Sequence, residues 1–313
     1  MERVPELSLR AYTNGTGEER RRFIDDLFIG LKQYGFIVLK DHPVDVKLLN
    51  KAYEYSQKFF ELPENVKRSY ADVNGTAGMR GYTPFGKEHA KDAKVPDLKE
   101  FWHVGRELHE SHRLKKFFPN NVWPNELPEF KPIFQTLFQA LDDTGRIMLE
   151  ALTGPLEVEK DFFTRMTENG SSILRMLHYP PIPATADPRS IRAAAHEDIN
   201  LITLLVSASA SGLQLLDRKG QWLNIDSDPE NIIVDSGDML ARITNDLIPA
   251  TTHRVVNPEG PNLSRYSMPY FMHPNPDAML SCLPSCRGAG AKYPDILAND
   301  FLFERLRDIG LTK

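Results

Sequence analysis

The stretch "HEDINLITLL", residues 196–205, sets His196 and Asp198 two positions apart ahead of a solid aliphatic run. A short apolar run bounded by polar residues reads as a buried β-strand, and imidazole and carboxylate are both metal-capable side chains. A lone His-x-Asp pair is common by chance. It carries weight only with a third ligand and a scaffold that brings the three together.

Working outward, the chain from about residue 172 breaks into short β-rich runs separated by turn signals: "ILRMLHY", "LITLLVS", "GLQLLD", "QWLNI", "IIVDSGDML", "ATTHRVV" and "RYSMPYFM". This rhythm predicts an antiparallel sandwich or barrel. Gly220 in "DRKGQW" sits where a hairpin wants positive φ, and Gly237 in "DSGDM" marks a second turn. Upstream, Phe23, Ile24, Leu27, Phe28 and Leu31 fall at helical spacing, and Gly35 then releases the chain into the strand "FIVLK". A second helical pattern in "LLNKAYEYSQKFFELPENVKRSY" stops near Pro63. The glycine-rich "NGTAGMRGYTPFG" reads as a loop that can lie over a site. Residues 128–153 form the longest amphipathic helix pattern, and "DILANDFLFERLRDIG" gives a further one near the C-terminus. The layout is α+β and mainly β: one unit in which a mixed helical region, 1–125, buttresses a β core in 126–313.

The 313 residues, 41% of them hydrophobic, are enough to bury a large core. With 38 basic against 43 acidic residues and no basic stripe, nucleic acid is not expected as a partner. No apolar run approaches the roughly 18 residues that span a bilayer, and the N-terminus lacks an apolar signal core. The two cysteines, Cys282 and Cys286, are too few for a disulfide framework and lack companions for a zinc site. Reduced thiols and a cytoplasmic location are the default expectation.

Within the β region the third ligand candidate is His253 in "TTHRVV". Two histidines and one carboxylate on one face of an ion leave positions open, the arrangement of non-haem Fe(II) oxygenases, which admit a chelating co-substrate and O2 there. Zinc is the rival with the same ligand set, but no helical His-Glu-x-x-His occurs. Twelve residues beyond His253 stands Arg265, with Ser267 at the next same-face position of a strand. A planar fork of donors beside a hydroxyl is a grip for a carboxylate, so a dicarboxylic acid explains the pair. An exposed Arg on an edge strand is the bland alternative.

Taken with these residues, the ordered series "YGFIVLKDHPV", "FFELPENVK", "RGYTPFGKE", "PDLKEFWHVGRE", "LRMLHYPPIP", "HEDINLITLL", "GLQLL", "GDML", "TND", "THRVVNP" and "RYSMPYF" resembles the isopenicillin N synthase-like group of iron- and 2-oxoglutarate-dependent dioxygenases over nearly the whole chain. The resemblance implies a double-stranded β-helix, or jelly roll, with the metal near its open end. It makes His196, Asp198 and His253 the iron ligands and catalytic centre. Arg265 and Ser267 would hold the distal carboxylate of 2-oxoglutarate, and Tyr179 would hydrogen-bond that co-substrate. The implied reaction oxidises a C–H bond of a small organic molecule and releases succinate and CO2. Two alternatives stay open: an oxidase that uses iron and O2 without 2-oxoglutarate, as isopenicillin N synthase does, and a non-catalytic jelly-roll binding protein.

Several positions depart from the group's pattern. Asp41-His42-Pro43 replaces a common Asn-His-Gly turn, and His42 reads as structural. Leu177 stands where many relatives carry Asn, and Asn200 where a small residue is usual; Asn tolerates a left-handed backbone there. His178 should face away from Tyr179, and His89, His103, His109, His112 and His273 read as surface or structural. Phe271 and Asn245 flank motif strands and are candidates to line the substrate cavity. Neither the substrate nor the oligomeric state is legible.

Overall fold

The long strands of this chain are apolar on both faces, and each face is covered by something different. The computed structural model describes residues 3–73, 78–88, 95–206 and 209–308. Its N-terminal half runs β1 (Glu6–Ser8), α1 (Leu9–Thr13), α2 (Gly17–Tyr34), β2 (Phe36–Lys40), α3 (Val46–Phe60), α4 (Glu64–Ser69), β3 (Gly81–Thr83), β4 (Glu100–Gly105) and α5 (Phe130–Ala151). The remainder runs α6 (Phe162–Thr167), β5 (Ile173–Tyr179), β6 (Ala193–His196), β7 (Ile202–Val206), β8 (Leu213–Leu216), β9 (Trp222–Asn224), β10 (Ile232–Ser236), α7 (Asp238–Ile243), β11 (His253–Val255), β12 (Arg265–Met272) and α8 (Ala298–Asp308).

Two sheets result. The larger has the order β1-β2-β10-β7-β12-β5-β4-β3 and the smaller β6-β11-β8-β9. From β5 to β12 the chain alternates between them except at the β8–β9 hairpin, which is the double-stranded β-helix that the resemblance implies; β1 and β2 extend one edge of the larger sheet, β3 and β4 the other. Because side chains alternate along a strand, β2 sends Phe36 and Val38 into the space between the sheets, where Tyr179, Leu213, Leu215, Ile233 and Val255 lie. Ile37 and Leu39 go to the opposite face, packed with Leu27, Leu31 and the Phe130, Phe134, Leu137 and Leu141 stripe of α5. The helices thus brace the outer face of the large sheet, and the space between the sheets is left for chemistry.

Local signals explain the helix ends. Thr16 caps α2 in a reciprocal capping box with Glu19, and Gly35 closes it in the left-handed conformation at φ 66. Gly220 takes φ 76 in the β8–β9 hairpin, as its position predicts. His42 is structural: its Nε2 lies 2.7 Å from the Glu230 carbonyl, while Asp41 takes the turn's positive φ of 53. His178 turns away from Tyr179, bonds Glu100 at 2.7 Å and stacks on Tyr266.

Three expectations need correction. The run "IIVDSGDML" is not one strand: β10 ends at Ser236 and α7 begins at Asp238. Part of "NGTAGMRGYTPFG" is strand β3 rather than loop, and its residues 74–77 lie outside those described. Asn245 sits at φ 55 and pins the carbonyls of Cys286 and Gly290, so it holds a surface loop and does not line the barrel. His89 lies outside the described residues. Cys282 and Cys286 are free thiols. Among the described residues no helix is long and apolar enough to cross a membrane.

His273, just past β12, is buried, and burial pushes its imidazole down to about 4. The unfolded chain, with an ordinary value near 6.5, takes up the proton first as pH falls. This contribution is therefore complete above pH 6.5 and lost between 6.5 and 4, with about 2 kcal/mol gone by pH 5. Burial holds His103 down in the same sense. Urea unfolding of metal-free protein at pH 7 and pH 5 is expected to show the loss, and His273→Gln to shrink it by about 2 kcal/mol; an unchanged difference would mean His273 titrates normally.

Candidate functional site

His196 and His253 meet because β6 and β11 pair with those two residues directly opposite each other, a register that brings Cβ atoms to about 5 Å. The rings sit 4.4 Å apart. In each the Nδ1 faces a main-chain carbonyl two residues back, Ala194 at 2.7 Å and Thr251 at 3.1 Å. A neutral imidazole donating there presents a bare Nε2 lone pair on its other side. Both Nε2 atoms face Asp198 Oδ1, at 3.8 and 3.9 Å.

Asp198 does not begin the buried strand, as the spacing alone suggests. His196 ends β6 in the small sheet, β7 starts at Ile202 in the large one, and Asp198 lies in the crossing between them. That crossing is held by the first turn of α7, whose N–H groups at Asp238 and Met239 donate to the carbonyls of Asp198, Ile199 and Asn200. Gly237 makes the approach possible: a Cβ there would fall 2.4 Å from the Asn200 carbonyl oxygen. Asn200 is not left-handed; it is fully buried and donates to Thr203 Oγ1 at 2.9 Å. The Thr203 hydroxyl in turn donates to Asp198 Oδ2. Asp235, opposite Thr203 on β10, is buried; burial, the charge of Asp198 and a hydrogen bond to Asp198 push its carboxyl well above the usual range.

The electrostatics suit a cation. Burial, and next the neighbouring His253, push His196 down to about 4. Burial alone would raise Asp198, but the two imidazoles and the Thr203 hydroxyl outweigh it and hold its carboxyl below the ordinary value. The centre thus sets the Asp198 carboxylate beside a His196 imidazole that burial keeps from protonating. An ion with bonds of about 2.1 Å touches donors up to about 4.2 Å apart, so the 3.8 and 3.9 Å separations fit a single ion. Among the described residues these three are the set that lies close enough to hold one.

Arg265 and Ser267 point the same way from β12, with Nη1 3.3 Å from Ser267 Oγ. The bland alternative fails: β12 lies inside the sheet between β7 and β5, and Arg265 is 1% exposed. Tyr179 is its cross-strand partner, with the guanidinium 5.1 Å from the ring centre. A cavity of about 250 Å3 lies against Arg265, lined by Leu205, Leu213, Ile225 and Ile233 and also by Ser211, Asp226 and Ser227.

A third group escaped the sequence reading. Arg175 shares the inward face of β5 with Leu177 and Tyr179, and its guanidinium lies 4.2 Å from the Phe101 ring centre and 5.2 Å from that of Phe271. Its Nε donates to His103 at 2.6 Å and its Nη1 faces Glu88 at 3.3 Å. Lys99 bridges Glu88 and Asp97, both at 2.8 Å. The charge of Lys99 reaches His196 and that of Arg175 reaches Asp198, so this network flanks the three-residue centre. Its sequence signal was the i, i+2, i+4 alternation Arg175, Leu177, Tyr179 in "LRMLHY".

Comparison with known proteins decides the family. Residues 4–126 match the family described as the N-terminal region of non-haem dioxygenases in morphine synthesis, and residues 170–274 match the 2OG-Fe(II) oxygenase superfamily. The 2-oxoglutarate-Fe(II) type oxidoreductase hxnY of Emericella nidulans is 31% identical over 95% of this chain and 88% of its own. The chain belongs to the 2OG-Fe(II) oxygenase superfamily. This oxygenase also resembles solved structures: a 2OG-Fe(II) oxygenase family protein from Caulobacter crescentus, 42% identical, with a TM-score of 0.88 over 99% of this chain and 100% of that one. A full-length Neurospora crassa protein solved in complex with alpha-KG is 28% identical, with a TM-score of 0.87 over 96% and 95%. The oxygenase is an Fe(II)- and 2-oxoglutarate-dependent dioxygenase that takes O2 as its further co-substrate.

Loss of the Thr203 hydroxyl is expected to free Asp198 to rotate. Thr203→Val should weaken Fe(II) binding about 10- to 100-fold, the range for partners that orient metal ligands. Anaerobic Fe(II) titration checks this, and unchanged affinity would show that Asp235 alone fixes the carboxylate.

Proposed function

We propose that His196, Asp198 and His253 hold the Fe(II), that Arg265 and Ser267 hold the distal carboxylate of 2-oxoglutarate beside Tyr179, and that the enzyme oxidises a C–H bond of a small organic molecule. The observation that carries this is the pair of bare Nε2 atoms trained on one buried carboxylate, 3.8 and 3.9 Å away. The iron, when bound, couples oxidative decarboxylation of 2-oxoglutarate to substrate oxidation. Hydroxylation balances as substrate plus 2-oxoglutarate plus O2 giving hydroxylated product, succinate and CO2, with one oxygen atom in each organic product.

The chain's own residues bind, orient and exclude water. Thr203 and Asp235 fix the direction of Asp198, and Ala194 and Thr251 fix the imidazole tautomers. Leu205, Leu213, Ile225 and Ile233 give the proposed co-substrate chamber one apolar wall. The substrate lies on the other side of the centre, against Phe101, Phe271 and the Arg175–His103–Glu88 network. The Neurospora crassa relative has also been solved with alpha-KG together with thymine, which supports a small molecule as the occupant. The regions 1–125 and 126–313 work as one unit, because strands from both build the large sheet. Free thiols accord with a cytoplasmic setting, and the charge balance leaves nucleic acid out.

The test is the product balance. With Fe(II), O2 and 2-oxoglutarate, the enzyme is expected to release succinate, and a chelator to abolish that release. Oxygen consumption without succinate would instead favour an oxidase that does not use 2-oxoglutarate. Failure to take up iron would leave a binding protein.

A further inference from the structure

A second buried guanidinium is tied to the segment that leads into Arg265. Arg192, which leads into β6, is 2% exposed. Its main-chain N–H donates to Asn257 Oδ1 at 3.1 Å, and its Nη2 donates to the carbonyl of Leu263, two residues before Arg265. Its Nε is buried and has no hydrogen-bond partner among the described residues. Arg265 for its part meets neutral groups alone: the Ala210 carbonyl at 3.0 Å, the Ser267 hydroxyl at 3.3 Å and the Tyr179 phenol. Among the described residues neither guanidinium forms an ion pair. Two buried cations without a carboxylate partner are costly, and an anion is what each of them lacks.

We propose that Arg192 is a second positioning residue for 2-oxoglutarate, sharing the distal carboxylate with Arg265 and thereby selecting a dicarboxylic over a monocarboxylic 2-oxo acid. This rests on the reading of Arg265 and Ser267 as the distal clamp. The two guanidiniums sense each other and the same phenol: burial lowers both, Arg265 lowers Arg192 further, and Tyr179 acts in the opposite sense on each. A merely structural Arg192 would tie the 256–264 connection through Leu263 and leave its Nε–H idle. A carboxylate arriving at Arg265 gives that donor an acceptor, and charge-assisted bonds of this kind are the strong ones.

The test uses the full chain loaded anaerobically with Fe(II). Affinities for 2-oxoglutarate and for 2-oxovalerate, which has the same carbon chain without the distal carboxylate, are measured by the visible absorption of the keto-acid chelate. Wild type should prefer 2-oxoglutarate strongly. Arg192→Met should weaken 2-oxoglutarate about 10- to 100-fold and leave 2-oxovalerate within about twofold, with Fe(II) uptake unchanged. Arg192→Lys, which keeps the charge without the fork, should fall between them. If Met at this position prevents folding, the Lys variant carries the test by the same selective loss. Equal weakening of both acids, or of neither, overturns the proposal. No preference in the wild type overturns the distal clamp itself, and Arg192 with it.

Discussion

Asp198→Ala is expected to bind Fe(II) on the order of 10^3-fold more weakly than wild type, since losing one of the three proposed ligands removes about 4 kcal/mol and each 1.4 kcal/mol is tenfold. The physical reason lies in the charge of the centre. In the proposed assignment His196 and His253 are neutral donors and Asp198 is the one anionic ligand, with both Nε2 atoms aimed at it. Its removal also leaves the Thr203 hydroxyl and the Asp235 carboxyl with no acceptor in the interior. Stability therefore falls as well, by about 1–3 kcal/mol for each group left unpaired. Asp198→Asn separates the two effects, because the amide keeps an oxygen for Thr203 but brings no charge: it should fold close to wild type and still lose most of the iron affinity. Anaerobic Fe(II) titration and urea unfolding of both variants check this. Tight iron binding by Asp198→Ala would place the metal elsewhere.

Arg265→Met is expected to weaken 2-oxoglutarate by about 2–5 kcal/mol, the cost of removing one partner from a buried charged pair, while Fe(II) uptake stays normal. The same variant, measured without 2-oxoglutarate, should unfold at a higher temperature than wild type. Arg265 is 1% exposed and has no carboxylate partner among the described residues. An apolar side chain of similar length relieves that burial, and such replacements commonly stabilise by about 1–4 kcal/mol. Saturation with Fe(II) and 2-oxoglutarate narrows or reverses the order, because ligand bound at 100 times its Kd adds about 2.7 kcal/mol to the wild type. Thermal melts with and without co-substrate read both signs. A variant that is less stable in both conditions would make Arg265 a structural residue.

What was legible in the sequence was whatever depends on short-range pattern. The stripes of α2, α3 and α5 follow a 3.6-residue period, and the i, i+2 placing of Arg265 and Ser267 was enough to put both on one face. What was not legible depends on which sheet a strand joins. Both faces of β7 are covered, so "LITLL" gives no sign that Asp198 lies in a crossing and that His196 belongs to the other sheet. "IIVDSGDML" is apolar enough to continue as strand; the helix begins at Asp238 because the Asp198–Asn200 carbonyls need its free N–H groups, a demand placed from 40 residues away. Asp235 and Thr203 look like isolated polar residues in apolar strands until the register pairs them beside Asp198. Arg192 meets its carbonyl partner across 71 positions, a distance over which no local pattern speaks.

The most direct test of the central claim is anomalous diffraction at the iron edge from crystals grown anaerobically with Fe(II) and 2-oxoglutarate. The expected result is one iron peak bonded to His196 Nε2, His253 Nε2 and an oxygen of Asp198, with the far carboxylate of the co-substrate on the Arg265 guanidinium. An iron peak away from these three residues, or a 2-oxoglutarate whose far carboxylate lies elsewhere than at Arg265, would contradict it.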